Sequence, residues 1–259
     1  MNKALAQNWI LLRGLARESG HWGDFIPLLQ SEFPEARITL LDLPGTGRFH
    51  RDTSPGTVKA ITDTVRRHAL AQGYLRQPMT ILALSLGAMV AWEWMQRYPD
   101  DMCGAILINT SFADLSPCYQ RLRWQSYRDL ATLAMTRNVL NRESKILNLV
   151  SNRRNQTRHI TLAWEILQNL RPISLNNSLR QIIAAARYRP GDLKPKTPVL
   201  LLNGLGDRLV APHCSEAIHR KWRLELRRHL WAGHDLALDD GAWVVAQLKN
   251  WVAQQQDNV

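Results

Sequence analysis

The chain has 259 residues, 45% apolar and 21% charged, with a formal net charge of +11. That composition is globular and supplies enough chain for a sizeable core. The longest apolar run lies inside MTILALSLGAMVAWEW (Met79 to Trp94) and is shorter than the roughly 18 residues a bilayer span needs. The opening MNKALAQNWILLRG shows no cleavage site after a proper apolar region, so no signal peptide is read. Cys103, Cys118 and Cys214 are scattered and odd in number. They make neither a disulfide framework nor a metal cluster, which suits a reducing cytoplasm. No interval repeats.

In chain order, Trp9–Leu12 is a short apolar run that ends in Arg13-Gly14, a buried strand meeting a loop. DFIPLLQSEF has helical spacing, and RITLLDLPGTGR is a strand closed by a Pro-Gly turn. TVKAITDTVRRHALAQG sets Val58, Ile61, Val65 and Leu70 on one helix face, with Gly73 as the stop. MTILAL is a strand, GAMVAWEWMQRYP a helix ended by Pro99, and GAILINTS the next strand. From Phe112 to Arg189 strand-like runs disappear. Ser116-Pro117 resembles a helix start with Pro in the first turn, followed by a stripe of Tyr119, Leu122, Tyr127, Leu130 and Ala134. Further helices are predicted over Arg142–Val150, Thr157–Leu170 and Leu175–Tyr188. After the Pro-rich RPGDLKPKTP come a strand (VLLLNG), a helix (APHCSEAIHRKW), a strand (LELRRHLW) and a final amphipathic helix. Strand–helix alternation on both sides of a helical block implies an α/β fold: a mostly parallel sheet of about six strands, covered on both faces. The expected organisation is a core of residues 1–111 and 190–259 and a helical cap of residues 112–189.

Three sites follow strand-like runs, where α/β sheets gather their ligands. Ser85 stands between TILAL and GAMVAWEW. A strand-to-helix turn that sharp strains its central residue and requires small neighbours two positions away, here Ala83 and Gly87. It projects the hydroxyl outward and puts the Leu86 amide at a helix start, where it can stabilise an oxyanion. Asp207 closes a Gly-rich loop after VLLLNG, and His234 follows Gly233 after a late strand. A Ser hydroxyl needs a His to take its proton and an acid to orient that His. The bland readings stand beside these. A Ser in an apolar junction is usually a satisfied polar group, and Asp207 could simply brace its loop as an Asx turn. The strand of GAILINTS is followed by Asn109 rather than an acid, and Asp114, five residues on, is a rival acid. His229, His213 and His219 read as structural or exposed. Asp235 reads as a helix N-terminal acid. The glycines of LDLPGTGR lack the Gly-Lys-Ser/Thr ending of a phosphate loop, and no spacing suggests a metal site.

These motifs resemble the α/β-hydrolase superfamily over nearly the whole chain, and are similar to its cap-bearing serine esterases, lactonases and thioesterases. The resemblance rests on Arg13-Gly14 after the first strand, LDLPGTGR after the second, ALSLG at the elbow, LLNGLGDRLV and AGHDL. It implies Ser85 as nucleophile, Asp207 and His234 as its partners, Leu15 as the second oxyanion amide, and no cofactor. Ala83 departs from the usual Gly and Arg13 from the usual His. The early antiparallel strands of many members are expected to be missing. Arg13, His21 and Trp22 are candidates to line the substrate pocket. The expected activity is cleavage of carboxylic esters or thioesters. The alternatives are a lyase, lactonase or acyltransferase on the same triad, or a non-catalytic receptor on the same fold.

Residues 112–189 hold 13 Lys and Arg against four Asp and Glu, +9 of the total +11. This is either a solvated face of amphipathic helices or a landing surface for an acidic partner. The second reading gains shape from a resemblance to esterases that release pimeloyl-carrier protein from its methyl ester. It implies an acidic acyl-carrier protein meeting Arg121, Arg128 and Arg154. Neither a nucleic-acid partner nor a membrane span is expected.

Overall fold

The computed structural model describes residues 4–155 and 157–257. Residues 1–3, part of the stretch read as carrying no leader, lie outside the described residues. Six strands form one sheet: β1 (Asn8–Leu12), β2 (Arg37–Leu41), β3 (Met79–Leu84), β4 (Met102–Ile108), β5 (Val199–Gly204) and β6 (Glu225–His229). Their order is β2-β1-β3-β4-β5-β6, and every adjacent pair is parallel. The chain has the expected α/β-hydrolase architecture. β1, β3 and β5 are buried along their whole length, as continuous apolar runs must be when both sheet faces are covered. The edges differ. β6 reads Glu-Leu-Arg-Arg-His and is largely half-buried, a charged edge that resists pairing with another chain.

A short helix, α1 (Ala4–Gln7), precedes β1. One face of the sheet is covered by α3 (Val58–Ala71), α4 (Leu86–Arg97) and α10 (His213–Trp222), which share a core with Ile10, Ile81, Ala83 and Leu201. The other is covered by α2 (Phe25–Glu32) and α12 (Gly241–Asp257), packed on Trp9, Leu11, Leu82 and Leu202. Alternate residues of each strand thus feed opposite cores. β1 pairs with β2 on one side and β3 on the other, so strand order reverses there. The crevice above that point is where such sheets place ligands.

Between β4 and β5 the described residues contain helices only: α5 (Cys118–Arg121), α6 (Tyr127–Met135), α7 (Val139–Val150), α8 (Thr157–Leu170) and α9 (Leu175–Arg187). The last three fall where periodicity placed them. The first does not form the continuous helix suggested by its apolar stripe. Pro117 sits at the N-cap of a single turn, and Tyr119 and Tyr127 are exposed. The chain breaks because its groups are claimed from outside. The Arg123 amide donates to Leu209 O (2.9 Å), the Ser126 hydroxyl to Arg208 O (2.6 Å), and the Gln120 carbonyl accepts from Ala211 N (2.8 Å).

The insertion is anchored by α9 through amide side chains. Asn177 accepts from the Ser54 amide (2.9 Å) and donates to Asp52 O (2.9 Å). Gln181 accepts from the Ala16 amide (2.9 Å) and donates to Pro44 O (3.1 Å). Both side chains are buried. Replacing Asn177 by Ala strands a buried donor and acceptor of the loop. It should cost about 1–3 kcal/mol, read as a lowered urea midpoint at unchanged m-value.

Candidate active site

Ser85 joins β3 to α4 with φ 57° and ψ −114°, left-handed backbone that a non-Gly residue adopts only under constraint. The constraint is visible on both sides. The Ser85 amide donates to Ile108 O (2.9 Å), and its carbonyl accepts from Thr110 Oγ1 (3.0 Å). At Gly87, a methyl group would meet the Arg13 carbonyl oxygen at 2.5 Å and that of Leu12 at 2.8 Å. Only glycine lets the first turn of α4 come this close to the end of β1. Ala83 lies in register with Leu12 and Leu107 within the core, where its extra methyl is accommodated.

The loop after β1 crosses Ser85: a methyl built on Gly14 would lie 3.1 Å from Ser85 Cβ and 3.8 Å from Oγ. Leu15 follows Gly14, and Leu86 opens α4, where amides lack a carbonyl one turn earlier. The position of the loop is fixed by Ala16, left-handed at φ 54°, whose amide is held by Gln181 of α9.

Asp207 is fully buried, and its two oxygens divide the work. Oδ1 accepts from the amides of Leu209 (2.7 Å) and Val210 (2.9 Å), the Asx-type brace weighed as the bland reading. Oδ2 lies 2.7 Å from His234 Nδ1. A carboxylate there places the proton on Nδ1 and leaves Nε2 as the basic nitrogen. The rival acid, Asp114, pairs with Lys221. His229 is a structural residue that accepts from the Ala232 amide.

One organising residue carried no such signal in the sequence. Asn109, left-handed at φ 45°, donates to Gly233 O (3.0 Å) and His234 O (2.8 Å) and accepts from Asn203 Nδ2 and Gly204 N. Its neighbours Ile108 and Thr110 hold Ser85, so residues 108–110 tie the serine turn, the Gly-rich loop and the histidine loop together. Asp239 does the same from below. It accepts from the amides of Gly233, Asn152 and Arg153 and from the Ser151 hydroxyl, and so fastens the end of α7 to the histidine loop.

Several expected contact residues are engaged elsewhere. Arg13 does not open onto a pocket. It is buried in a two-pronged ion pair with Asp235 and lies over the Trp22 ring at 4.7 Å. Asp235 also caps α11 (Leu236–Asp239), as read from sequence. His21 and Trp22 are buried too. His21 contacts Arg17 through Nε2 (2.8 Å) and tilts against Trp164 of α8. Burial, then Arg17 and Arg13, holds its pKa well below the ordinary histidine value. The same stretch is roofed by Arg17–Glu143 (2.6 Å) and by Arg171–Glu18 (2.8 Å). Arg121 is half-buried and donates to the carbonyls of Ala185 and Ala186, closing the end of α9. Arg128 and Arg154 are exposed. A surface cavity of about 500 Å³ lined by Leu28, Arg153, Arg154, Trp231 and Asp240 contains none of Ser85, Asp207 and His234. Among the described residues, no group of three His, Cys, Asp or Glu could hold a metal, and no helix is long and apolar enough to cross a membrane.

Residues 7–238 match the family model for serine aminopeptidase, S33. A comparison with curated proteins gave no match. Among solved structures, a thermophilic esterase from Thermogutta terrifontis is similar at TM-score 0.74 and 20% identity, covering 97% of this chain and 91% of that one. A lipase-esterase related protein from Clostridium acetobutylicum is similar at TM-score 0.73 and 16% identity, with 96% of each chain covered. An enzyme described as degrading N-acyl homoserine lactones is similar at TM-score 0.69 and 16% identity, covering 94% and 92%.

Two outcomes follow from the buried charges. Asp235→Ala leaves Arg13 buried without a partner and should cost about 3–5 kcal/mol, whereas Arg13→Met with Asp235→Leu should recover most of that loss. Denaturant unfolding of both variants reads the difference. For His21, the unfolded imidazole takes a proton near its ordinary pKa of about 6.5, while the folded one resists it. The unfolded state therefore binds more protons from about pH 6.5 downward, and stability falls as pH falls until the folded group titrates. His21→Gln should flatten that slope. Parallel curves for wild type and variant would refute it.

Proposed function

The chain belongs to the serine aminopeptidase S33 family of hydrolases, and from that membership and the site we propose that it cleaves carboxylic esters, thioesters included, through an acyl-enzyme on Ser85. The observation that carries the reading is the buried 2.7 Å contact of Asp207 Oδ2 with His234 Nδ1, tied through residues 108–110 to the strained Ser85 turn. Ser85 Oγ attacks the carbonyl carbon while His234 Nε2 accepts its proton. Asp207 keeps the imidazole in the tautomer that can do so and stabilises the imidazolium. The Leu86 and Leu15 amides bind the developing oxyanion. The tetrahedral adduct collapses as His234 returns the proton to the departing alkoxide or thiolate. Water, deprotonated by the same nitrogen, then displaces the acyl group and regenerates Ser85. Lactones, as cyclic esters, enter the same chemistry, in keeping with the lactone-degrading neighbour. Residues 112–189 act as the cap over this site. For carrier-linked substrates, Arg128 and Arg154 of the three expected docking arginines are exposed and Arg121 is half-buried.

A fluorophosphonate probe should label wild type at Ser85, and Ser85→Ala should lose both labelling and about 10⁴-fold or more in kcat on short p-nitrophenyl esters. Full hydrolysis by Ser85→Ala, or labelling elsewhere, would refute the assignment. An ester and thioester chain-length panel then reads the acyl preference.

A further inference from the structure

Two helices of the insertion are inside out. In α9 the buried positions are Asn177, Gln181 and Ala184, while Leu175, Leu179, Ile182 and Ile183 are exposed. In α8 the buried positions are Thr161, Trp164 and Gln168, while Leu162, Ile166 and Leu170 are exposed. The spacing of each exposed set keeps it on one helix face, and the link of residues 171–174 joins the two helices. Leu170 and Leu175, on either side of that link, are 64% and 74% exposed. A monomer rarely leaves so much aliphatic surface in water without a use for it. The helices cannot simply roll inward. Asn177 and Gln181 are bonded to Asp52, Ser54, Ala16 and Pro44, and Trp164 is wedged against His21 and Arg17.

Charge decides the occupant. Residues 153–189 contain seven Arg and one acid, Glu165. Arg154, Arg158, Arg187 and Arg189 are exposed. A second copy of the chain would bring this cationic face against itself, which like charges oppose. The stripes are purely Leu and Ile, without the aromatic anchors that concentrate energy in protein interfaces. Aliphatic stripes bordered by arginine have the chemistry of helices that lie in the headgroup region of anionic lipid. We propose that the outward faces of α8 and α9 dock the enzyme on an anionic lipid surface, with Leu170, Leu175, Leu179 and Ile183 entering the acyl boundary and the arginines meeting the headgroups. This reading concerns binding and stands apart from the chemistry at Ser85.

The test is vesicle flotation of the full chain. Wild type should float with vesicles of equal parts phosphatidylcholine and phosphatidylglycerol at low salt. Binding should fall about tenfold or more on pure phosphatidylcholine or at 1 M salt, where the Debye length shrinks to about 3 Å. Leu175→Ser with Leu179→Ser and Ile183→Ser should lose flotation while keeping the circular dichroism spectrum and Tm of wild type. A variant that misfolds is replaced by Arg158→Glu with Arg187→Glu, which should lose binding to the anionic vesicles alone. The proposal is overturned if wild type stays with the soluble fraction, or if folded variants float like wild type. It is also overturned if ultracentrifugation shows a dimer that the serine variants dissolve, or if these faces instead bind an acidic acyl-carrier protein without lipid.

Discussion

The approach of α4 to the end of β1 is the constraint on which the rest of the site depends. With the Gly87 backbone pressed on the carbonyls of Leu12 and Arg13, the turn before it has no room for ordinary geometry. Ser85 takes the left-handed conformation that results. The same contact draws the loop after β1 across the serine, so Gly14 meets Ser85. The proposed nucleophile and oxyanion donors both depend on this one close packing, which excludes a methyl at Gly87 while one is accommodated at Ala83.

Holding a loop that tightly requires partners, and the partners are charged. Arg13 reaches to Asp235, the residue after His234. The loop after β1 and the loop after β6 are thereby joined by a pair that a single apolar substitution would leave half satisfied. Such a pair contributes little net stability over well-packed apolar residues. What it supplies is a fixed relation between two loops that the sheet alone does not connect, since β1 and β6 are not neighbours. Arg17–Glu143 and Arg171–Glu18 repeat the device between the same stretch and, respectively, helix α7 and the residue that follows α8.

The sheet was legible in the sequence because its signals are local. Fully buried parallel strands read as near-continuous apolar runs, and MTILAL and VLLLNG do. The Asp207–His234 contact and the strained turn at Ser85 lie where the sequence pointed, because each of these residues follows such a run. Asn109 was noticed only as a missing acid. Its role depends on four groups from β5 and the histidine loop, and no spacing in the chain encodes them. The contacts of Arg121 were illegible for a related reason. A count of charge tells nothing about direction, and this guanidinium is spent on the carbonyls that end α9.

Periodicity located α8 and α9 correctly and is silent on which face turns inward. The usual assumption, apolar side to the core, fails here for a physical reason. The insertion lies over loops rather than over a sheet face, and loops present unpaired amides and carbonyls. Asn177 and Gln181 answer those groups at Pro44, Asp52, Ser54 and Ala16. Once the polar side is committed to the loops, the aliphatic side has only the exterior left. The stripe at the surface is thus tied to the placement of the oxyanion loop: Gln181, which fixes Ala16 beside that loop, also fixes the face that Ile182 and Ile183 present to solvent.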